Sequence, residues 1–242
     1  MSVRALIFDV DGTLAETEEL HRLAFNRTFA EVGLPWKWDR ALYGELLKVT
    51  GGRERIEAYA RRIGAEGIDA PALHKRKTAF YNELMEPGTV ELRPGVENLI
   101  DRARTAGLDL AIATTTSRSN VVGLMAATLG EGALSWFKSV RTGEDTKRKK
   151  PDPEVFQLVL ADLGLPPREC MIFEDSENGL RAARAVNVPT VITPSIYTGE
   201  DDFCGADYIF KNLDEPFSIL KYSPDFAFHD VPVAVRDLLF HG

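Results

Sequence analysis

Short apolar runs recur along the chain, at residues 3–9, 108–114, 137–141, 170–174, 189–193 and 207–210, with helix-length segments between them. Runs of this length, spaced by helical patterns, predict a mainly parallel sheet wound by helices, an α/β Rossmann-like core. The intervening helices are expected over 95–105, 120–129, 153–163 and 178–186. Pro153 suits a first helical turn, with Asp152 available as N-cap.

One stretch breaks the alternation. From residue 16 to about 87 strand signals vanish and a helical period takes over: Phe25, Phe29 and Val32 follow i, i+4, i+7, as do Ile56, Ala60 and Ile63. Gly33-Leu34-Pro35, the segment 64–67 and Pro71 punctuate the helices. Pro87-Gly88 ends the section, and the core pattern resumes near Arg93-Pro94-Gly95. The expected organisation is therefore a core of residues 1–15 and 93–242, a small all-helical cap over 16–87 inserted after the first strand, and a hinge at 88–92. A helical insert leaving the core at that point is placed to close over a crevice. From Asn212 onward the chain is expected to wrap irregularly, with a short helix near 233–239.

The composition, 44% hydrophobic and 27% charged over 242 residues, is that of an ordinary globular protein. A net charge of −8 argues against nucleic acid or an anionic membrane as partner, since both need a basic face. Cys170 and Cys204 fit a reducing compartment without disulfides, Cys170 as a small core residue. No apolar stretch approaches membrane-span length. The first strand begins almost at once, so we expect no signal or transit peptide and a cytoplasmic location. The expected oligomeric state is a monomer.

The first run ends in Phe8-Asp9-Val10-Asp11-Gly12-Thr13. Side chains alternate along a strand, so Asp9 and Asp11 share a side if the chain stays extended. Gly12 permits a sharp turn that brings amide groups near a ligand. One carboxylate can attack phosphorus while the second moves protons at the bridging oxygen. Two carboxylates facing a phosphate then require a divalent cation. The bland alternative is an Asp-rich strand-to-turn junction. Thr114 and Glu174-Asp175 also stand at strand ends, where parallel sheets form their ligand crevice. Glu174 and Asp175 would complete a metal site with Asp9, and hard oxygen donors suit magnesium better than zinc. Asp175 is also placed to cap the following helix.

Three further segments carry a family resemblance: Ala113-Thr114-Thr115-Thr116, Lys149-Lys150-Pro151-Asp152-Pro153 and Ile172-Phe173-Glu174-Asp175-Ser176. With the first motif they resemble the haloacid dehalogenase-like phosphotransferases, in order and spacing. The resemblance implies Asp9 as the nucleophile, forming an aspartyl-phosphate, and Asp11 as general acid and then base. It also implies that the main-chain carbonyl of Asp11 joins the Mg2+ ligands. Asp at position 11 selects phosphate esters, because the dehalogenase branch carries Tyr there and the phosphonate-cleaving branch Ala. Thr114 would give a hydroxyl to the transferring group, and Lys150 would neutralise phosphate and nucleophile. Thr115 and Thr116 read as helix-capping hydroxyls, Thr115 also being a substrate-side candidate. Lys147, Arg148 and Lys149 read as a solvated charge run.

In the helical insert, Lys77 falls on the otherwise apolar stripe Leu73, Lys77, Phe80, Leu84. Such a lysine either snorkels or meets an anion, and the resemblance implies a substrate phosphate. Lys48 and the loop Gly51, Gly52, Arg53 and Arg55 open a helix, a natural anion site for a second phosphate. His21, four residues before Phe25, is either a packed histidine or, by resemblance, a group near the substrate. Glu16, Thr17 and Glu18, close behind the first motif, are candidates to touch a sugar. The strings 47–56 and 173–180 are similar to the CbbY branch, itself close to beta-phosphoglucomutases. That resemblance implies a sugar-bisphosphate substrate, xylulose 1,5-bisphosphate, cleaved at C1 to xylulose 5-phosphate, which removes an inhibitor of Rubisco. A sugar-phosphate mutase and a catalytically inactive sugar-phosphate sensor remain open alternatives.

Overall fold

The computed structural model describes residues 3–85 and 88–214, together with the backbone of 219–221. Six parallel strands, β1 (Ala5–Phe8), β2 (Asp109–Ala113), β3 (Phe137–Arg141), β4 (Cys170–Glu174), β5 (Thr190–Ile192) and β6 (Tyr208–Phe210), form one sheet with an antiparallel edge strand β7 (Ile219–Lys221). The order is β3-β2-β1-β4-β5-β6-β7. Chain direction across the sheet reverses between β1 and β4, which opens a crevice at the carboxyl ends of those strands. Register does the rest. Phe8 pairs with Ile112 on one side and Phe173 on the other, so the residues that follow all emerge at one edge of the sheet.

Period-two alternation sorts the sheet's side chains into two layers. Leu6, Phe8, Ile112 and Phe173 pack with Leu99 and Ile100 of α5 (Val96–Thr105) and Val121 and Leu124 of α6 (Arg118–Thr128). Ala5, Ile7, Ala111 and Ile172 pack with Phe156 and Val159 of α7 (Glu154–Leu163) and Ala182 and Ala183 of α8 (Glu177–Ala185). Cys170 lies in this second layer, buried as expected of a core residue.

Four helices, α1 (Glu18–Glu31), α2 (Arg40–Leu47), α3 (Gly52–Ile63) and α4 (Ala70–Leu84), fill the stretch between β1 and α5. Their centre is aromatic: Phe25, Phe29, Trp36, Trp38 and Tyr43, with Ile56. Asp39 caps α2 by accepting the Leu42 N–H, and Asp69 caps α4 through Ala72. The apolar stripes end early, since Val32 and Ile63 face solvent. At its base the unit merges with the sheet layer, because Ala24, Phe80, Tyr81 and Met85 pack among the α5 and α6 residues. The two chain crossings lie side by side, bridged at Ala15 and Leu92, with the Arg93 N–H donating to the Leu14 carbonyl at 2.8 Å.

Strands 137–141 and 170–174 coincide with the sequence reading; the others are shorter by one to three residues. Strand β7 was not expected, since it lies in the stretch read as irregular. The remainder of that tail, with the helix expected near 233–239, lies outside the described residues, as do positions 86 and 87 at the end of the helical insert. Asp152 does not occupy the N-cap. Pro153 does, and the Asp152 carboxylate accepts the Glu154 N–H at 3.0 Å. Among the described residues no helix is long and apolar enough to cross a membrane.

Candidate active site

The four motif segments meet at the carboxyl edge of β1, β2 and β4. Lys150 spends all three ammonium hydrogens there, on Asp9 Oδ1 at 2.7 Å, Glu174 Oε1 at 2.5 Å and the Ala113 carbonyl at 2.8 Å. Burial disfavours its charge, but Asp9 and Glu174 more than offset this and hold it above the usual lysine range. Glu174 Oε2 accepts the Asp175 N–H and the Ser176 hydroxyl. Thr198 Oγ1 donates to the Asp175 carbonyl at 2.7 Å.

Carboxylate oxygens of Asp9, Glu174 and Asp175 all lie within 4.8 Å of one another, and all three residues are buried. One ammonium does not balance three carboxylates. Burial, opposed by Lys150 and reinforced by Glu174, pushes the Asp9 carboxyl up to about 7. Burial with the charges of Glu174 and Asp9 raises Asp175 well above the carboxylate range. A buried, all-oxygen donor set short of positive charge fits a hard divalent cation.

Asp11 is held differently. Its Oδ1 accepts from Thr17 Oγ1 at 2.5 Å and lies 2.9 Å from His21 Nε2; His21 Nδ1 in turn meets the Lys77 ammonium. Burial acts to raise the Asp11 carboxyl, but His21, Thr17 and Lys77 outweigh it and hold the group well below its ordinary range. Lys77, buried between the rings of Phe25 and Tyr81, is pushed down to about 7 by burial. The stripe lysine therefore neither snorkels nor reaches the cavity; its partner is His21.

A cavity of about 290 Å³ opens over Asp9 and Asp11, lined from the sheet domain by Thr114, Thr115, Asn178 and Arg181, and from the helices by Glu18, Lys48, Thr50, Gly51 and Arg55. Arg55 donates to Tyr43 Oη at 3.0 Å and to the Leu46 carbonyl, and Tyr43 donates to Glu18 Oε2 at 2.6 Å. This chain fixes both a cation and an anion on the helical wall.

Several expected residues stand elsewhere. Arg53 is exposed and pairs with Glu54 and Glu57. Two residues advance a helix by about 200°, so Arg53 and Arg55 cannot share one wall. Gly52 packs under the His74 ring instead of facing the cavity. Glu16 pairs with Arg93 at 3.3 Å. Thr17 and His21 touch Asp11 and do not line the cavity. Thr115 and Thr116 do not cap α6; Ser117 does, and Thr114 Oγ1 accepts the Thr116 N–H. Asp175 does not cap α8, because Ser176 holds that position.

Asn178 and Tyr197 were missed. Asn178 Nδ2 donates to the Lys48 carbonyl at 3.1 Å and Thr50 Oγ1 at 3.0 Å, and Tyr197 Oη donates to Glu19 at 2.6 Å, so both tie the sheet domain to the helices. An asparagine one residue past the start of a helix that follows an acidic motif was a usable signal; Tyr197 carried none.

A family model described as haloacid dehalogenase-like hydrolase matches residues 3–187. The chain belongs to this family. It is a phosphoric monoester hydrolase of the haloacid dehalogenase type. It is similar to Protein CbbY of Rhodobacter capsulatus, 51% identical over 215 residues that cover 88% of this chain and 95% of the relative. It is 47% identical to the plasmid Protein CbbY of Cupriavidus necator, over 99% of this chain and 98% of that one. A crystal structure of an aspartate-to-asparagine variant of CbbY from Rhodobacter sphaeroides, in complex with xylulose 1,5-bisphosphate, superposes with a TM-score of 0.84 at 43% identity, covering 88% of this chain and 96% of the other.

Proposed function

We propose that this protein is a magnesium-dependent sugar-bisphosphate phosphatase that removes the C1 phosphate of xylulose 1,5-bisphosphate through an aspartyl-phosphate on Asp9. The observation that carries the reaction class is the contrast between its two carboxylates. Asp9 sits beside Lys150 in an acidic cluster short of positive charge, while Asp11, two residues on, is held by Thr17 and His21 from the helical unit. Two carboxyls in opposed environments divide nucleophile from proton carrier.

Asp9, Glu174, Asp175 and the Asp11 carbonyl would hold the magnesium ion, which supplies charge that lowers the Asp9 pKa and neutralises the phosphate. Asp9 attacks phosphorus, Lys150 balances charge on the transferring oxygens, and the Thr114 hydroxyl orients the group. Asp11 protonates the departing sugar oxygen and then takes a proton from water. Its depressed pKa comes from His21, Thr17 and Lys77, so moving the helical unit relative to the Asp11 loop removes the groups that hold it ionised. The carboxyl then returns toward its ordinary range and can exchange its proton. The helical unit acts as the cap, and Arg55 and Lys48, in place of Arg53, receive the far phosphate.

The sugar rests on the relatives: the chain is 51% identical to a CbbY over 215 residues, and a CbbY was crystallised with xylulose 1,5-bisphosphate. On this reading the protein clears an inhibitor of carbon fixation. A phosphate-release screen of sugar mono- and bisphosphates with magnesium tests it. The highest kcat/KM is expected for xylulose 1,5-bisphosphate; isomerisation of glucose 1-phosphate without phosphate release would make the protein a mutase.

A further inference from the structure

Arg93 is buried where the chain returns from the helices to the sheet domain. Its guanidinium reaches carbonyls from two separate turns. Nη1 donates to the Gly12 carbonyl and, at 2.6 Å, to the Thr193 carbonyl, with Thr193 Oγ1 at 3.2 Å; Nη2 donates to the Pro194 carbonyl at 2.7 Å. Nε faces Glu16 at 3.3 Å. Gathering three carbonyls at one point, those of Gly12 and Thr193 buried, is unfavourable without a cation between them.

The two turns so joined enclose Asp175. Gly12 has φ +81°, and a Cβ built on it would lie 2.2 Å from Asp175 Oδ2, so the carboxylate rests directly on the glycine backbone. The same Cβ would lie 3.1 Å from the Ser195 side chain, on the other wall. Ser195 donates its N–H to Thr198 Oγ1 at 2.8 Å, and that hydroxyl holds the Asp175 carbonyl. Nothing in the chemistry proposed above uses Arg93.

We infer that Arg93 is a positioning residue that clamps the Gly12 turn to the Thr193–Thr198 turn and thereby fixes the Asp175 carboxylate for a divalent cation. The inference rests on the reading of Asp175 as a metal ligand. A lysine ammonium cannot span the same carbonyls, because the planar fork fixes two nitrogens in one plane.

The test is Mn2+ binding, read by the electron paramagnetic resonance of free Mn2+, in wild type, Arg93→Lys and Arg93→Met, with denaturant midpoints alongside. Both variants should weaken Mn2+ about 10–100-fold, with KM at saturating metal little changed. Leu163→Ala, in the opposite layer of the core, should lose stability yet keep wild-type Mn2+ affinity. If Arg93→Met does not fold, Arg93→Lys decides. A folded Arg93→Lys protein with wild-type Mn2+ affinity overturns the clamp. Absence of Mn2+ uptake by the wild type overturns the metal-site reading and this inference with it. Uptake by the wild type that is lost in Asp175→Asn supports both.

Discussion

The ammonium of Lys150 lies 2.7 Å from Asp9 Oδ1, although 141 residues separate them in the chain. The same ammonium holds Glu174, so one lysine neutralises the first and last motifs together. Removing one partner of a buried pair leaves the other charge stranded. Lys150→Met should therefore abolish phosphate release and, without metal, lower stability by about 3–5 kcal/mol. Denaturant titration with and without magnesium checks this, and the loss should be smaller with the ion present.

The strands and the motif residues were legible because a buried parallel strand writes itself as an apolar run and its carboxyl end faces the crevice. Asp9, Thr114, Lys150, Glu174 and Asp175 converge as read. Partners across the fold were not legible. Lys77 looked like an anion ligand because no local pattern reveals that His21, 56 residues away, sits against it. Arg93 gave no signal, since its acceptors are backbone carbonyls at residues 12, 193 and 194. The error over Arg53 was avoidable, because helical phase alone separates it from Arg55.

Asp11→Asn should cost most with a poor leaving group. General acid help is worth about 10²–10⁴-fold for a sugar alkoxide and far less for a phenolate that leaves unaided. Comparing kcat for a sugar phosphate with that for an aryl phosphate tests the assignment. Equal losses on both substrates would remove Asp11 from proton transfer.

Chelation should stop turnover, and magnesium should restore it. The acidic cluster remains partly balanced by Lys150, so the thermal midpoint should fall only modestly on metal removal, by the linkage expected of a ligand bound to the folded state. Calorimetry with and without chelator, beside an activity assay, tests both halves.

Acid stability should depend on His74. Burial, reinforced by the positive charge of Lys77, pushes its pKa down to about 4 from an ordinary 6.5. Between those values the unfolded chain binds a proton that the folded one refuses, so stability falls as pH drops through that window. The contribution is at most roughly 3 kcal/mol. His74→Gln should flatten the fall in urea midpoint between pH 7 and pH 4.

The most direct test follows xylulose 1,5-bisphosphate by phosphorus NMR in the presence of magnesium and wild-type protein. The C1 phosphate signal should disappear as one equivalent of inorganic phosphate appears, leaving xylulose 5-phosphate intact, and Asp9→Asn should leave the bisphosphate unchanged. Release of phosphate by a clean Asp9→Asn preparation, or loss of the C5 phosphate first, would contradict the account.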